Sequence, residues 1–426
     1  MAAPRPALLR ALRHRNYRLF FGGQSISLAG TWITRIATSW LVYRITGSAL
    51  MLGIVGFCGQ IPTLFLAPVA GVFVDRWDRR RVLLATQILS LLQSLALGVL
   101  TLLGIITVAE VLALQVMQGI INAFDTPARQ AFVVHMIEDR ADLPNAIALN
   151  SSMVNGSRIV GPSVGGLIIA AVGEGWCFMI DAVSYIAVIA SLLAMRMEPV
   201  APSRPPARVR EELRAGFQYV TRFVPVRTLL LLLALVSIMG MPYTVLMPAI
   251  ATRVLHGGAH SLGFLMGATG VGALAAALYL ASRHTVVGLG RAIAAAVITF
   301  GAGLIAFGFS RSFLLSLAIL PFVGAAFMLA LAATNTIVQT IVEEHLRGRV
   351  MAFYAMAFLG TAPIGSLLAG VLADRIGAPA TIRLGGAACV LGGIVFAFRL
   401  PRLRELIRPI YARQGIIPLP AAETGA

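Results

Sequence analysis

The sequence predicts an all-α membrane protein, with twelve transmembrane helices arranged as two six-helix bundles. Three observations predict it. First, the chain of 426 residues is 58% apolar and only 12% charged, with a mean hydropathy of +0.87. Soluble domains carry about 25% charged residues, and a core of this size cannot hide so many long apolar runs from water. Second, apolar windows of about 20 residues, the length that crosses a hydrocarbon core, recur twelve times. Third, a polar stretch at 197–225 divides those windows six and six.

The expected spans fall at 17–43, 49–74, 82–106, 108–134, 144–172, 176–196, 226–255, 261–282, 290–309, 313–341, 350–373 and 380–399. A basic segment with Arg5, Arg10, Arg13, Arg15 and Arg18 leads into a full-length first span, which reads as retained and not cleaved. An even number of spans puts both termini on one side. All 34 basic residues are Arg. With a cytoplasmic N-terminus, the inner segments collect 27 of them. The outer face then holds five, Arg44, Arg253, Arg311, Arg375 and Arg383, while Arg35 and Arg158 stay inside spans. This asymmetry predicts that both termini are cytoplasmic. It also explains the net charge of +17 without nucleic acid, because the arginines lie between apolar segments and form no basic domain.

The domain expectation follows: an N-terminal bundle at 1–196, a cytoplasmic linker at 197–225, a C-terminal bundle at 226–399 and a cytoplasmic tail at 400–426. The linker opens with Pro199, Pro202, Pro205 and Pro206. Val209, Leu213, Phe217 and Val220 then recur at helical spacing, as on an amphipathic helix lying on the inner membrane surface. The halves look related: residues 132–139 align with 336–343 at an offset of 204, and Pro162-Ser-Val-Gly165 has a counterpart in Pro363-Ile-Gly365. Internal repeats of this kind suggest a transporter with its path between the halves. Cys58, Cys177 and Cys389 are scattered and show neither disulfide nor metal spacing. The chain has no phosphate loop, no Gly-x-Ser-x-Gly and no His-Glu-x-x-His. The reading is therefore a non-enzyme, not driven by ATP, that needs no cofactor and no metal.

Charge inside or against lipid marks the candidate functional residues, because it is costly there and must face protein or water. The densest cluster ends span two: Gly71, Asp75, Arg76, Asp78, Arg79, Arg80 and Arg81. It is either a gate or a set of anchors to anionic lipid. Asp125 follows about 17 residues of apolar helix, which puts it in the inner third of the membrane. Arg35 and Arg158 each need a partner, which is either a substrate or a carboxylate such as Glu110 or Asp181. Gly161, Pro162, Gly165 and Gly166 form a close-packing motif in span five. Trp32 is one of several aromatics that line a greasy pocket or pack against lipid. Met241 and Tyr243 fall within Gly240–Met247, a stretch expected to unwind around Pro242 and line a cavity. His135 reads as a solvated loop residue.

The run Gly71-x-x-x-Asp75-Arg76-x-x-Arg79-Arg80 resembles the loop between helices two and three of the major facilitator superfamily. Asn16-Tyr-Arg-Leu-Phe, Trp40-Leu-Val-Tyr-Arg-Ile-Thr-Gly-Ser48, Asp125-Thr-Pro-Ala-Arg-Gln-Ala131, Gly161-Pro-x-x-Gly-Gly166 and Leu346-Arg-Gly-Arg-Val-Met351 extend the resemblance over nearly the whole chain. They resemble the bacterial exporter branch that includes the enterobactin exporter and macrolide efflux proteins. The resemblance implies a multi-pass protein of the bacterial inner membrane. It implies that Asp75 meets the helix start near Arg349 and Val350, and that Arg79 reaches Asp125, together locking one conformation. Asp78 stands where the family has Gly, which calls the tight turn into question. Ser157 and Ala148 stand where the full antiporter motif has Gly. Gln115 replaces an arginine tied to proton coupling in relatives. First and fourth helices line the path in this superfamily, which makes Arg35 a substrate candidate. The implied function is export of a small amphipathic molecule, of siderophore or drug class, by alternating access and proton antiport, by a monomer in the lipid bilayer. An importer or a lysophospholipid flippase is the alternative on this scaffold, and a non-transporting membrane sensor is the alternative of another class.

Overall fold

The structure, a computed structural model, describes residues 7–137, 139–196, 209–283 and 285–417. In lipid every backbone polar group must be satisfied within the chain, and helices meet that requirement. Twelve long helical runs fill the described residues. The first six are α1 (Arg15–Thr46), α2 (Ala49–Arg76), α3 (Arg79–Leu102), α4 (Val108–His135), α5 (Leu143–Val172) and α6 (Glu174–Ala194). A short amphipathic helix, α7 (Val209–Arg222), follows. The seventh run, Val224–Val254, joins α8 (Val224–Leu235), a π segment at Val236–Gly240, α9 (Tyr243–Ala249) and a second π segment at Ile250–Val254. Next come α10 (Ala259–Ala281), α11 (Leu289–Phe309) and α12 (Phe313–Ile341). The eleventh run, Glu344–Ile376, is α13 (Glu344–Ala355), a π segment at Met356–Gly360 and α14 (Ala362–Ile376). The last is α15 (Ala378–Arg413).

Each run overlies one expected span. The larger departures are at the eleventh, which starts at Glu344 and not at 350, and at the twelfth, which continues to Arg413 and not 399. Among the described residues nine runs are long and apolar enough to cross a membrane. The other three, α1, α4 and α5, carry the polar residues singled out above. Linker residues 197–208 lie outside the described residues.

The chain divides into two compact units: Met1–Pro205 with Val245–Gly270, and Pro206–Thr244 with Val271–Ala426. In the first, α1 packs on α5 and α6, α2 on α4, and α3 on α4 and α6. One end of its core is built from Tyr17, Phe20, Val74, Leu83, Phe132 and Leu192. The residues before α1 form a 3-10 turn, Ala7–Arg13, fastened to the loop before α5. Arg13 Nε and His14 Nε2 contact the buried Asp142 carboxylate at 2.7 and 3.1 Å, and Asn145 Oδ1 accepts from Ala11 N at 2.9 Å. Residues 245–270 join this unit because α10 lies against α5 through glycines. A Cβ on Gly166 would sit 2.7 Å from Gly263 Cα, and one on Gly263 would sit 2.7 Å from Pro162 O.

In the second unit α11 packs on α12 and α15, α15 packs on α8, and α7 lies on α13. Phe217 of α7 stacks on Phe353 with centroids 6.1 Å apart. The π segments resolve two prolines. Met241 N bonds Val236 O at 2.9 Å, the five-residue register that precedes Pro242. Near Pro363, which has no N–H to give, Phe358 O instead accepts from the buried Ser237 Oγ at 2.6 Å. Met241 and Pro242 form a turn between that π segment and α9, so the helical register changes locally around Pro242.

Candidate functional site

The site is built where α5 meets α1. A Cβ on Gly161 would overlap Trp32 Cβ, and one on Gly165 would lie 2.8 Å from Ile36 Cγ2. Only glycines allow the helices this close. The approach sets Arg158, three residues before Gly161, beside Trp32, with its guanidinium carbon 5.8 Å from the ring centroid. Arg35, one turn beyond Trp32 on α1, lies 5.1 Å from the same centroid. Two cations thus share one indole. Such contacts contribute about 0.5–1 kcal/mol when exposed and about 2 when desolvated.

The expected carboxylate partners are engaged elsewhere. Glu110 closes a capping box at the start of α4, accepting from Thr107 N at 2.7 Å. Asp181 is buried between helices, where it accepts from Ser94 Oγ at 2.7 Å and Ser184 Oγ at 3.4 Å. Among the described residues Arg35 has no carboxylate within 4.0 Å, and its side chain is exposed. The arrangement offers a planar ring to stack on and positive charge beside it, which suits an anionic or carbonyl-rich planar ligand. Gln115, on α4, faces the same helix α1: its Nε2 is 3.5 Å from Thr38 Oγ1, and a Cβ on Gly59 would meet its Oε1 at 3.1 Å.

The charged turn after α2 is resolved differently from expectation. Asp78 is the N-cap of α3, accepting from Arg80 N at 2.9 Å and Arg81 N at 3.4 Å. Its φ of −62° is open to any L residue, so the turn does not need glycine here. Arg80 donates to Leu192 O at 2.9 Å and Leu193 O at 3.1 Å, capping the last turn of α6. Arg76 is exposed, and a Cβ on Gly71 would meet nothing within 4 Å. The side chain of Asp75 lies outside the described residues.

Asp125 is not reached by Arg79. It is buried, pairs with Arg129 one turn along α4, and accepts from Thr86 Oγ1 at 3.0 Å and Gln87 Nε2 at 2.8 Å. Arg79 instead contacts His135 Nε2 at 3.0 Å. The reason is axial distance. Asp125 and His135 are ten residues apart on α4, about 15 Å at 1.5 Å per residue. Arg79 opens α3, level with His135, while Thr86 and Gln87 lie two turns further up, level with Asp125. Arg129 was missed although Asp-x-x-x-Arg is a local pairing signal on a helix.

In the second unit Tyr243 is buried, edge-on to Phe300 at 6.2 Å. Phe300 continues the stack to Phe327 at 5.5 Å, and Phe327 to Phe358 at 6.0 Å. Gly240 is pressed against Phe300 and Cys389. This corrects the cavity reading for Gly240, Tyr243 and Met247, which are core; Met241 is half-buried. Also missed were Gly263, Gly267 and Gly270 on α10, the seats for Gly166, Ser163 and Ile159 of α5. Their four- and three-residue spacing was the available signal.

Comparison with known proteins agrees with this architecture. The family model described as a transmembrane secretion effector matches residues 7–410. The multidrug efflux pump Tap of Mycolicibacterium fortuitum is 33% identical over 389 residues, covering 89% of this chain and 94% of that protein. The staphyloferrin A transporter of Staphylococcus aureus is 26% identical over 382 residues, covering 89% and 95%. The solved structure of a bacterial homologue of the human lysosomal transporter Spinster superposes with a TM-score of 0.67 at 15% identity, covering 93% and 98%, a likeness of fold. Matched along nearly its full length, the chain belongs to the transmembrane secretion effector family of major facilitator transporters.

Proposed function

We propose that this protein is a secondary active exporter of small amphipathic molecules, of drug or siderophore class. It works by alternating access in the bacterial inner membrane, with both termini cytoplasmic and protons as the coupling ion. The single observation that carries the substrate reading is the Arg35–Trp32–Arg158 cluster. It favours a planar compound bearing carboxylate or carbonyl oxygens. The multidrug and macrolide efflux proteins among its relatives support the direction of transport, and the staphyloferrin A transporter supports the siderophore class.

Coupling is assigned by elimination. Among the buried acids of the described residues, Asp142, Asp125 and Glu174 have Arg13, Arg129 and Arg44 as cations. Asp181 has hydroxyl partners only. A buried carboxylate without a cation is the one whose charge the fold leaves unneutralised, so Asp181 is the coupling group. The turn from Asp75 to Arg81 is the gating element.

The test is flux in proteoliposomes with and without an imposed pH gradient, using catecholate siderophores, macrolides and cationic dyes. Movement against a gradient only with ΔpH is expected. Arg35→Gln should raise KM for the transported compound at least tenfold, and Arg35→Lys should restore it only in part because the planar stacking group is gone. Asp181→Asn should uncouple flux from ΔpH. An unchanged KM in Arg35→Gln overturns the substrate site, and ΔpH-dependent flux in Asp181→Asn overturns the coupling assignment.

A further inference from the structure

A second site lies in the C-terminal unit, away from the arginine–tryptophan cluster. A cavity of about 470 Å³ opens where the start of α8, the start of α11 and the end of α15 converge. Its walls are apolar: Pro225 and Leu229 from α8, and Phe396, Leu400, Leu403 and Ile407 from α15. Its rim is basic, with Arg291, Arg404 and Arg408 against the single acid Glu405. The three arginines are exposed, and among the described residues none has a carboxylate within 4.0 Å. The cavity therefore pairs an apolar slot with a net positive rim.

Depth identifies the occupant. α15 has 36 residues, about 54 Å at 1.5 Å per residue, against a hydrocarbon core of about 30 Å. Its C-terminal turns must therefore reach headgroup level. The same turns carry Arg399, Arg402, Arg404, Arg408 and Arg413, which the arginine asymmetry assigns to the inner leaflet. Around the helix, Leu400, Arg404, Ile407, Arg408 and Tyr411 share the cavity face, whereas Arg402 and Arg413 lie on the opposite face at 100° per residue. Basic pockets between membrane helices on the cytoplasmic side suit anionic lipid headgroups.

We infer that this cavity binds one anionic phospholipid of the inner leaflet, with an acyl chain in the slot and its phosphate on Arg291, Arg404 and Arg408. The phosphate takes up guanidinium donors that have no internal partner, and the chain fills apolar volume that would otherwise hold water.

The experiment uses the purified full-length protein in detergent, titrated with phosphatidylglycerol or phosphatidylcholine and followed by native mass spectrometry. The wild type should retain one phosphatidylglycerol at least tenfold more strongly than phosphatidylcholine. The pair Arg404→Gln/Arg408→Gln should lose that preference, and the equally charge-reduced pair Arg402→Gln/Arg413→Gln should keep it. Leu400→Trp, which fills the slot and spares the charge, should weaken retention in parallel. An unchanged far-ultraviolet spectrum and unfolding midpoint show that each variant is folded. Equal losses in the two arginine pairs would reduce the effect to bulk charge and overturn the site. So would full competition by inorganic phosphate, which would mean a site for free anion. Tighter lipid retention on truncation after Ile417 would make the chain's own C-terminus the occupant and overturn it as well.

Discussion

Gly166→Ala should loosen the first unit by pushing α5 off α10. The added Cβ would sit 2.7 Å from both Ala259 O and Gly263 Cα. Ordinary carbon contacts lie at about 3.5–4.0 Å, so the helices must part by roughly 1 Å. The neighbours are backbone atoms, and no rotamer change can relieve the overlap. A radial gap of that size forfeits about a quarter to a half of each dispersion contact along the seam, and overpacking of this kind costs about 1–3 kcal/mol. Replacing glycine inside a helix returns about 0.5–1 kcal/mol. The net expectation is a loss of up to about 2.5 kcal/mol, centred near 1 kcal/mol. Gly156, ten residues earlier on the same helix, supplies the internal control, since a Cβ there meets nothing within 4 Å. Gly156→Ala should keep the propensity gain alone, about 0.5–1 kcal/mol of added stability. The assay is the thermal unfolding midpoint of both variants in one detergent, beside the wild type. Gly166→Ala melting with or above Gly156→Ala would refute the close-packing account of α5 and α10.

Three further expectations follow from the geometry. A double-mutant cycle of Asp125→Asn with Arg129→Gln should show coupling of about 1 kcal/mol or more, because the carboxylate is buried; the same cycle with Arg79→Gln should show none, and the reverse ranking would restore Arg79 as the partner. Ser237→Ala strands Phe358 O and should cost about 0.6–2 kcal/mol by unfolding in detergent, whereas Ser94→Ala, which leaves no carbonyl orphaned, should not loosen the π segment by hydrogen exchange. The Ala141 N–H, first, and Arg13 hold the Asp139 carboxyl below its usual range. A depressed carboxylate contributes stability above its unfolded value, near 3.9, and loses it as pH falls through the folded one. Docking of the Ala7–Arg13 turn, followed by a fluorophore at residue 7, should therefore be flat from pH 5 to 8 and fail only in stronger acid; release between pH 6 and 7 would contradict this.

Helix positions were legible because lipid demands a long uninterrupted apolar run, and the ends of α2, α10, α12 and the seventh run, Val224–Val254, fall within two residues of the expected ones. The facing of each side chain was not legible. In a soluble helix the polar stripe points outward, but in lipid the exterior is as apolar as the core, so periodicity loses its meaning. That is why Tyr243 and Gly240 were placed in a cavity and turned out to pack on Phe300. Polar positions were more informative: Arg35 and Arg158, the two arginines expected inside spans, converge on one ring. The partner of Asp125 was misread because family resemblance suggested a long-range contact where a one-turn pair on α4 sufficed. Asp78 shows the converse, a departure from the family pattern that a helix cap absorbs without strain.

The assignment of residues 245–270 to the first unit has a practical consequence for anyone who labels this protein. The covalent chain passes between the units at 205–206, 244–245 and 270–271. Cleavage in the linker therefore leaves two continuous connections, and a nicked protein should still migrate as one body until denatured. A spin label or fluorophore on α10 before residue 270 reports on the body that contains α5, although the linker would count it in the C-terminal half. Distance pairs meant to follow domain motion are best anchored on α5 and α15, with α10 grouped with the former.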